Sequence, residues 1–319
     1  MYKSFIFILF FSFLVNACFS QERYSYDLFD EIRMETATYA SKDGENLDMD
    51  IYLPQNDSEL ERAAIIYVHG GSFSEGERDT EQIKDFCTRL ANYGYVVASI
   101  SYRLTRKGAP EGFGCDCSAT EKLNTIYAAT EDLQDASFFL IENRHQYQIN
   151  PQQIILAGNS AGAETVLNTA YQPPYCYGLD SGPVSFAGVI SMSGAIPDTT
   201  VLYDESAIPS LLFHGTDDAL VPYATASHHF CNEDAEGYWI LNGSYTIAEK
   251  LQQLDVPYWL HTTCGAGHEI HSQPITDNFE VIVEFCNTFV IEKNGDQRHT
   301  IIEGTQKIGE YDRFSFCSE

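Results

Sequence analysis

Short apolar runs rich in β-branched residues alternate along the chain with longer stretches in which apolar residues recur every three or four positions. The runs predict strands at 35–40, 47–53, 63–69, 96–102, 153–157, 186–192, 209–214 and 258–262. The middle ones are nearly continuous, as in Ile65-Ile66-Tyr67-Val68, the pattern of parallel strands buried on both faces. Between strands, 79–93 places Ile83, Phe86, Leu90 and Tyr93 at helical spacing. A longer helix is expected over 119–143, stopped by Asn150-Pro151, and a last amphipathic helix over 276–291. Strand then helix, repeated, predicts an α/β fold with a mostly parallel eight-stranded sheet and helices on both faces. Ser41-Lys42-Asp43-Gly44 is a turn signal, so the first two strands should form an antiparallel hairpin at the sheet edge. The polar tail, 292–319, ends in Phe314-Ser315-Phe316-Cys317 and reads as an ornament pinned by Cys317, not as a second domain.

Ahead of these elements lies a different pattern. Lys3 supplies a short positive region, and 5–15 is an apolar run broken only by Ser12. It is too short to span a bilayer, which takes about 20 apolar residues. Small residues follow at Ala17 and Ser20. The expectation is an export signal over 1–20, cleaved to leave a single domain over 21–319 that is secreted or periplasmic. A second processing route is open: Val15-Asn16-Ala17-Cys18 loosely resembles a lipobox, which would anchor the protein through a lipid on Cys18.

Composition narrows the partners. Hydrophobic residues make up 44% of the 319 positions, enough for a sizeable core. The net charge of −28 argues against binding nucleic acid or an anionic membrane surface. It favours solubility and leaves the substrate unnamed. Nine cysteines are present. Either processing route removes Cys18, leaving an even number in an oxidising compartment, so up to four disulfides are expected. A metal site is not expected, because no CxxC pair occurs and the histidines are scattered.

Four motifs carry candidate chemistry. Gly158-Asn159-Ser160-Ala161-Gly162 follows a predicted strand and opens a helical pattern, the context of a strained turn that lifts a nucleophilic serine above the sheet. His69-Gly70-Gly71-Ser72-Phe73 ends the third strand. Its glycines let backbone N–H groups turn toward a developing oxyanion. Gly71 and Ser72, joined by Ala161, are the expected donors. Gly265-Ala266-Gly267-His268-Glu269 follows the last strand, and His268 can take the proton of Ser160. His214-Gly215-Thr216-Asp217-Asp218 supplies the carboxylate that would orient the imidazole. Two adjacent aspartates are available. Each motif lies past the carboxyl end of a strand, where open α/β sheets place their sites. His145, His228, His229, His261, His271 and His299 read as structural or surface residues. Glu164 either lines the pocket or supports its helix, and the segments 103–120 and 171–183 are expected to shape the pocket.

Together HGGSF, GNSAG, HGTDDALVP and GAGHE, in that order, resemble the esterase branch of the α/β-hydrolase superfamily with an HGG oxyanion loop. That branch includes carboxylesterases and the feruloyl and acetylxylan esterase-like enzymes. The resemblance covers roughly 46–291 and is weak for substrate. Ser72 stands where a third glycine would be, which departs from the hormone-sensitive-lipase type. The resemblance implies a Ser160, Asp218, His268 triad, the acid being placed by the pattern H-G-x-x-D-x-x-V-P through Val221 and Pro222. It implies hydrolysis of a carboxylic ester without a cofactor, and export would suit a small-molecule or polysaccharide-linked substrate. In such a fold the first and last helices share a face of the sheet, which suggests a Cys87–Cys286 disulfide. Two other functions stay open. A serine peptidase of the prolyl-oligopeptidase type would need an extra domain, for which too few residues precede the third strand. A non-catalytic hydrolase-fold binding protein would typically have lost the serine or the histidine.

Overall fold

The computed structural model describes residues 23–171, 184–306 and 311–318. The expected export signal, Cys18 and nearly all of the 171–183 segment lie outside them. Strands β1 (Ile32–Lys42) and β2 (Glu45–Pro54) form an antiparallel hairpin with Lys42 opposite Glu45. Asp43 and Gly44 have φ of 54° and 83°, the left-handed pair that gives a two-residue turn the twist of its strands.

The chain continues through β3 (Arg62–Val68), α1 (Glu81–Asn92), β4 (Val96–Ile100), α2 (Ala119–Glu142), β5 (Ile149–Asn159) and α3 (Ala161–Tyr171). It then forms β6 (Gly188–Met192), a two-residue β7 (Ala195–Ile196), β8 (Ser210–Gly215), and short β9 (Thr225–Ser227) and β10 (Ile240–Gly243). Helix α4 (Ser244–Gln253), β11 (Tyr258–Thr263), α5 (Phe279–Glu284) and β12 (Gln297–Ile302) complete it. Both long early helices start on a capping side chain: Thr80 accepts from the Ile83 N–H and Ser118 from the Glu121 N–H.

The main sheet has nine strands in the order β1-β2-β4-β3-β5-β6-β8-β11-β12, one more than the apolar runs predict. β2 is antiparallel to both neighbours, and every pairing from β4 to β12 is parallel. The extra strand, β12, comes from the tail read as an ornament. It pairs with β11 from Tyr258 opposite Gln297 to Thr263 opposite Ile302. A second, three-stranded sheet has the order β7-β10-β9.

Strand residues alternate between two apolar layers. Ala64, Ile66 and Val68 of β3 face the layer covered by α2, α3 and α4, while Ala63, Ile65 and Tyr67 face the layer covered by α1 and α5. Period-two alternation with both faces buried therefore explains the unbroken apolar runs. The expected helix over 276–291 is broken into a turn at Pro274–Asp277, α5, and a π-helical segment at Phe285–Ile291.

Two disulfides are present among the described residues, Cys115–Cys231 and Cys264–Cys317. The second pins the tail, as expected of Cys317. Cys87 and Cys286 do not pair; both are buried thiols, as is Cys117. Their helices do share one apolar layer. However, Cys87 lies near Asp50, Tyr52 and Tyr67, and Cys286 near Tyr95. Sharing a face does not bring two thiols within bonding geometry. Among the described residues no helix is long and apolar enough to cross a membrane.

Candidate active site

The site is built where β5 gives way to α3. Ser160 is the hinge residue, with φ of 53°, a conformation that L-residues adopt at a cost and that clusters at functional sites. Close packing demands the flanking glycines. A Cβ on Gly158 would lie 2.4 Å from the Gly162 carbonyl oxygen, and one on Gly162 would lie 2.0 Å from that of Val68. The Ser160 N–H donates to the Met192 carbonyl at 2.8 Å, anchoring the turn to β6.

Ser160 Oγ lies 2.7 Å from His268 Nε2, and His268 Nδ1 lies 2.7 Å from Asp218 Oδ2. Asp218 is buried. Burial opposes its ionisation, but hydrogen bonds from His214 and His268 outweigh burial and hold the carboxyl well below the usual range. An ionised Asp218 requires a proton on Nδ1 of His268, which leaves Nε2 free to accept from the serine hydroxyl. The second carboxylate oxygen accepts the N–H groups of Leu220 and Val221 at 2.9 and 3.0 Å.

Asp217 serves the turn instead. Its Oδ1 accepts from Thr216 Oγ1 at 2.9 Å, and its N–H donates to the Ala266 carbonyl at 2.9 Å. His214 is part of the site in a way its motif position did not reveal. Its Nε2 donates to the Val221 carbonyl at 3.0 Å and lies 3.3 Å from Asp218 Oδ2, while Nδ1 meets Ser244 Oγ at 2.9 Å. The acid loop is thus tied at both ends to β8 and α4.

The HGG loop runs beside the serine. A Cβ on Gly70 would come within 3.0 Å of Ser160 Cβ. Gly71, Ser72 and Phe73 have φ of 122°, 50° and 57°, a reversal held by Ser74 and Glu75 N–H groups donating to the Gly71 carbonyl. The Gly70 N–H is taken by Asn159 Oδ1 at 3.0 Å. Among the described residues no protein acceptor pairs with the N–H groups of Gly71, Ser72 or Ala161.

A family model described as BD-FAE matches residues 49–174, which include the HGG loop and Ser160. Arylacetamide deacetylase-like 2 of Homo sapiens is 27% identical over 64% of this chain and 50% of its own length. Ethyl acetate hydrolase of Pseudomonas putida is 29% identical over 41% of this chain and 36% of its own. The chain thus spans half or less of these curated relatives. Among solved structures, Thermogutta terrifontis esterase 2 phosphorylated by paraoxon superposes with a TM-score of 0.59 at 18% identity, covering 82% of this chain and 94% of that one. Its propionate-bound form gives 0.57 over the same shares. The chain has the α/β-hydrolase fold.

Around the serine this α/β-hydrolase fold buries a polar cluster that the sequence left divided between pocket and scaffold. Glu164, one helical turn after Ser160, lies 3.6 Å from His228 Nε2, and both are buried. Burial pushes the Glu164 carboxyl up to about 8, against the pull of Lys122 and with the push of Asp218. The same burial holds His228 well below its ordinary value, with His229 and Lys122 adding to the effect. Both partners are therefore neutral near pH 7. The wall over them comes from the 103–120 segment: Phe113 packs on Phe73 and His228 at 4.8 and 5.2 Å between centroids, and Cys115 bonds Cys231. His228 and His229 form no metal cluster among the described residues. A cavity of about 220 Å³ lined by Thr216, Tyr223, Phe230, Tyr311 and Phe314 touches neither Ser160 nor His268.

Proposed function

We propose that this α/β-hydrolase is a serine esterase that cleaves carboxylic esters through an acyl-enzyme. The observation that carries the reading is the unbroken line of two 2.7 Å contacts from Ser160 through His268 to buried Asp218. In the reaction Ser160 Oγ attacks the acyl carbon as His268 Nε2 takes its proton. The oxyanion is held by the N–H groups of Gly71, Ser72 and Ala161. His268 then gives the proton to the leaving alcohol, and Asp218 steadies the imidazolium. A water, deprotonated by His268, attacks the ester of Ser160 and restores the serine. These steps need no cofactor.

Relatives described as an ethyl acetate hydrolase and a lipase support ester chemistry. The Thermogutta esterase described as phosphorylated by paraoxon supports an organophosphate test here. The reading further takes 1–20 as a cleaved export signal and 21–319 as one domain acting outside the cytoplasm, where Cys115–Cys231 and Cys264–Cys317 would persist.

The test is direct. A fluorophosphonate should label Ser160, and Ser160→Ala should lose about 10⁶ in kcat on an activated ester. More than a few per cent of residual turnover would overturn the assignment. Rates on acetyl, feruloyl and longer acyl esters, beside a peptide panel, separate a small-ester or polysaccharide-ester hydrolase from a peptidase.

A further inference from the structure

Asn159, the variable position of the G-x-S-x-G turn, joins two parts of the site that are far apart in sequence. Its Oδ1 accepts from the Gly70 N–H at 3.0 Å and from the Tyr67 hydroxyl at 2.8 Å. A backbone N–H can only donate, so the amide orientation is fixed with Nδ2 on the other side. There Nδ2 lies 2.8 Å from His271 Nδ1. Nδ2 also can only donate, so His271 Nδ1 must accept, and the ring is neutral with its proton on Nε2. That ring is stacked on His268, with centroids 4.9 Å apart and planes 26° from parallel.

We infer that Asn159 and His271 are a positioning pair, coupling the oxyanion loop at Gly70 to the plane of the His268 imidazole. The inference rests on the esterase reading. Asn159 sets how closely the HGG loop approaches Ser160, and the same side chain seats the ring against which His268 rests. The pair also keeps a second positive charge away from His268 as it becomes an imidazolium. The charged and titratable groups around His271 are His268 and, beyond it, Asp218. Burial first, then His268, lowers His271 to about 4, with Asp218 opposing.

Two variants test the pair. His271→Phe keeps a stacked ring but removes the acceptor. It should lower kcat by about 10- to 100-fold with KM little changed, the loss expected when a reacting group is misplaced. Asn159→Asp still accepts from Gly70 and Tyr67, but its carboxylate now favours a protonated Nδ1 on His271. That variant should be impaired at low pH and regain activity as pH rises and His271 loses its proton. Long-range ¹H–¹⁵N spectra of wild type should show His271 as the Nε2–H tautomer at pH 7, and as an imidazolium in Asn159→Asp. A wild-type Nδ1–H tautomer would overturn the proposal whatever the activity. So would folded variants that keep the wild-type kcat and pH profile while Ser160 still takes the fluorophosphonate. Failure of wild type itself to take the label would overturn the esterase reading and the positioning role with it.

Discussion

Asp218 and Asp217 are neighbours with the same charge and nearly the same burial, yet they face different partners. Asp218 meets His268 and His214, whereas Asp217 accepts from Thr216. Asp218→Asn should therefore lower kcat by about 10⁴, because an amide in that place no longer demands a proton on Nδ1. Asp217→Asn should cost far less, and steady-state kinetics of both variants on one ester decide it. Greater damage in the Asp217 variant would mean that the acid is misassigned. Glu164 gives a prediction with a pH sign. Its folded carboxyl is raised to about 8 from an ordinary 4.5, so the folded state holds a proton that the unfolded chain releases. Stability from this group is present below about pH 4.5 and declines as pH rises toward 8. Glu164→Gln removes that slope. It should raise Tm at pH 8 relative to wild type and change it little at pH 5. Ser160, Asp218 and His268 were nameable from the sequence because each sits in a motif at the end of an apolar run. His214, Asn159 and His271 were not nameable as partners. Their contribution lies in which atom faces which, and a histidine three residues beyond His268 carries no spacing rule.

The same distinction applies to strands and turns. Runs such as 63–69 announce themselves because both faces are buried, so every position is apolar. β12 has no such run, and it is held by polar pairing as much as by packing. Trp259 Nε1 donates to Thr300 Oγ1 at 2.9 Å, Arg298 lies over the Trp259 ring at 4.8 Å, and Thr262 Oγ1 meets His299 Nε2 at 2.8 Å. A sequence of Gln, Arg, His and Thr hides such a strand from any search for hydrophobic runs. β7, β9 and β10 escaped for a simpler reason, since two to four residues show no periodicity. At the turns, two glycines of different kinds can be compared. Gly44 has open space around it but a φ of 83°, whereas Gly162 faces the Val68 carbonyl at 2.0 Å. Gly44→Ala should cost about 1–2 kcal/mol and leave kcat unchanged. Gly162→Ala should displace the Ser160 turn and abolish most activity. Urea denaturation and ester turnover on the pair separate backbone strain from steric displacement. Equal kinetic damage in both would refute this account of the turn.

Across the molecule, two covalent links cross the face that carries the site. Cys115–Cys231 joins the segments walling Glu164 and His228, and Cys264–Cys317 fastens the tail beside the loop that carries His268. Closing a ring of 53 residues stabilises a fold by about 4 kcal/mol through the entropy of the unfolded chain. Replacing Cys264 and Cys317 together by alanine should lower stability by about that amount, read as a fall in the urea midpoint. Alkylation of the unfolded, unreduced protein should label Cys87, Cys117 and Cys286 and spare the four bonded cysteines. Label on Cys115 or Cys264 would contradict the pairing. The ring closed by Cys264 and Cys317 encloses His268 and β12. A chain emerging from the ribosome therefore holds every motif residue well before it can make that bond. Hydrogen bonds such as that from the Asp217 N–H to the Ala266 carbonyl can hold the loop bearing His268 before then, but its covalent tie forms only after Cys317 has appeared and met an oxidant. The covalent fastening of that loop is thus a redox event at the tail, far along the chain from Ser160.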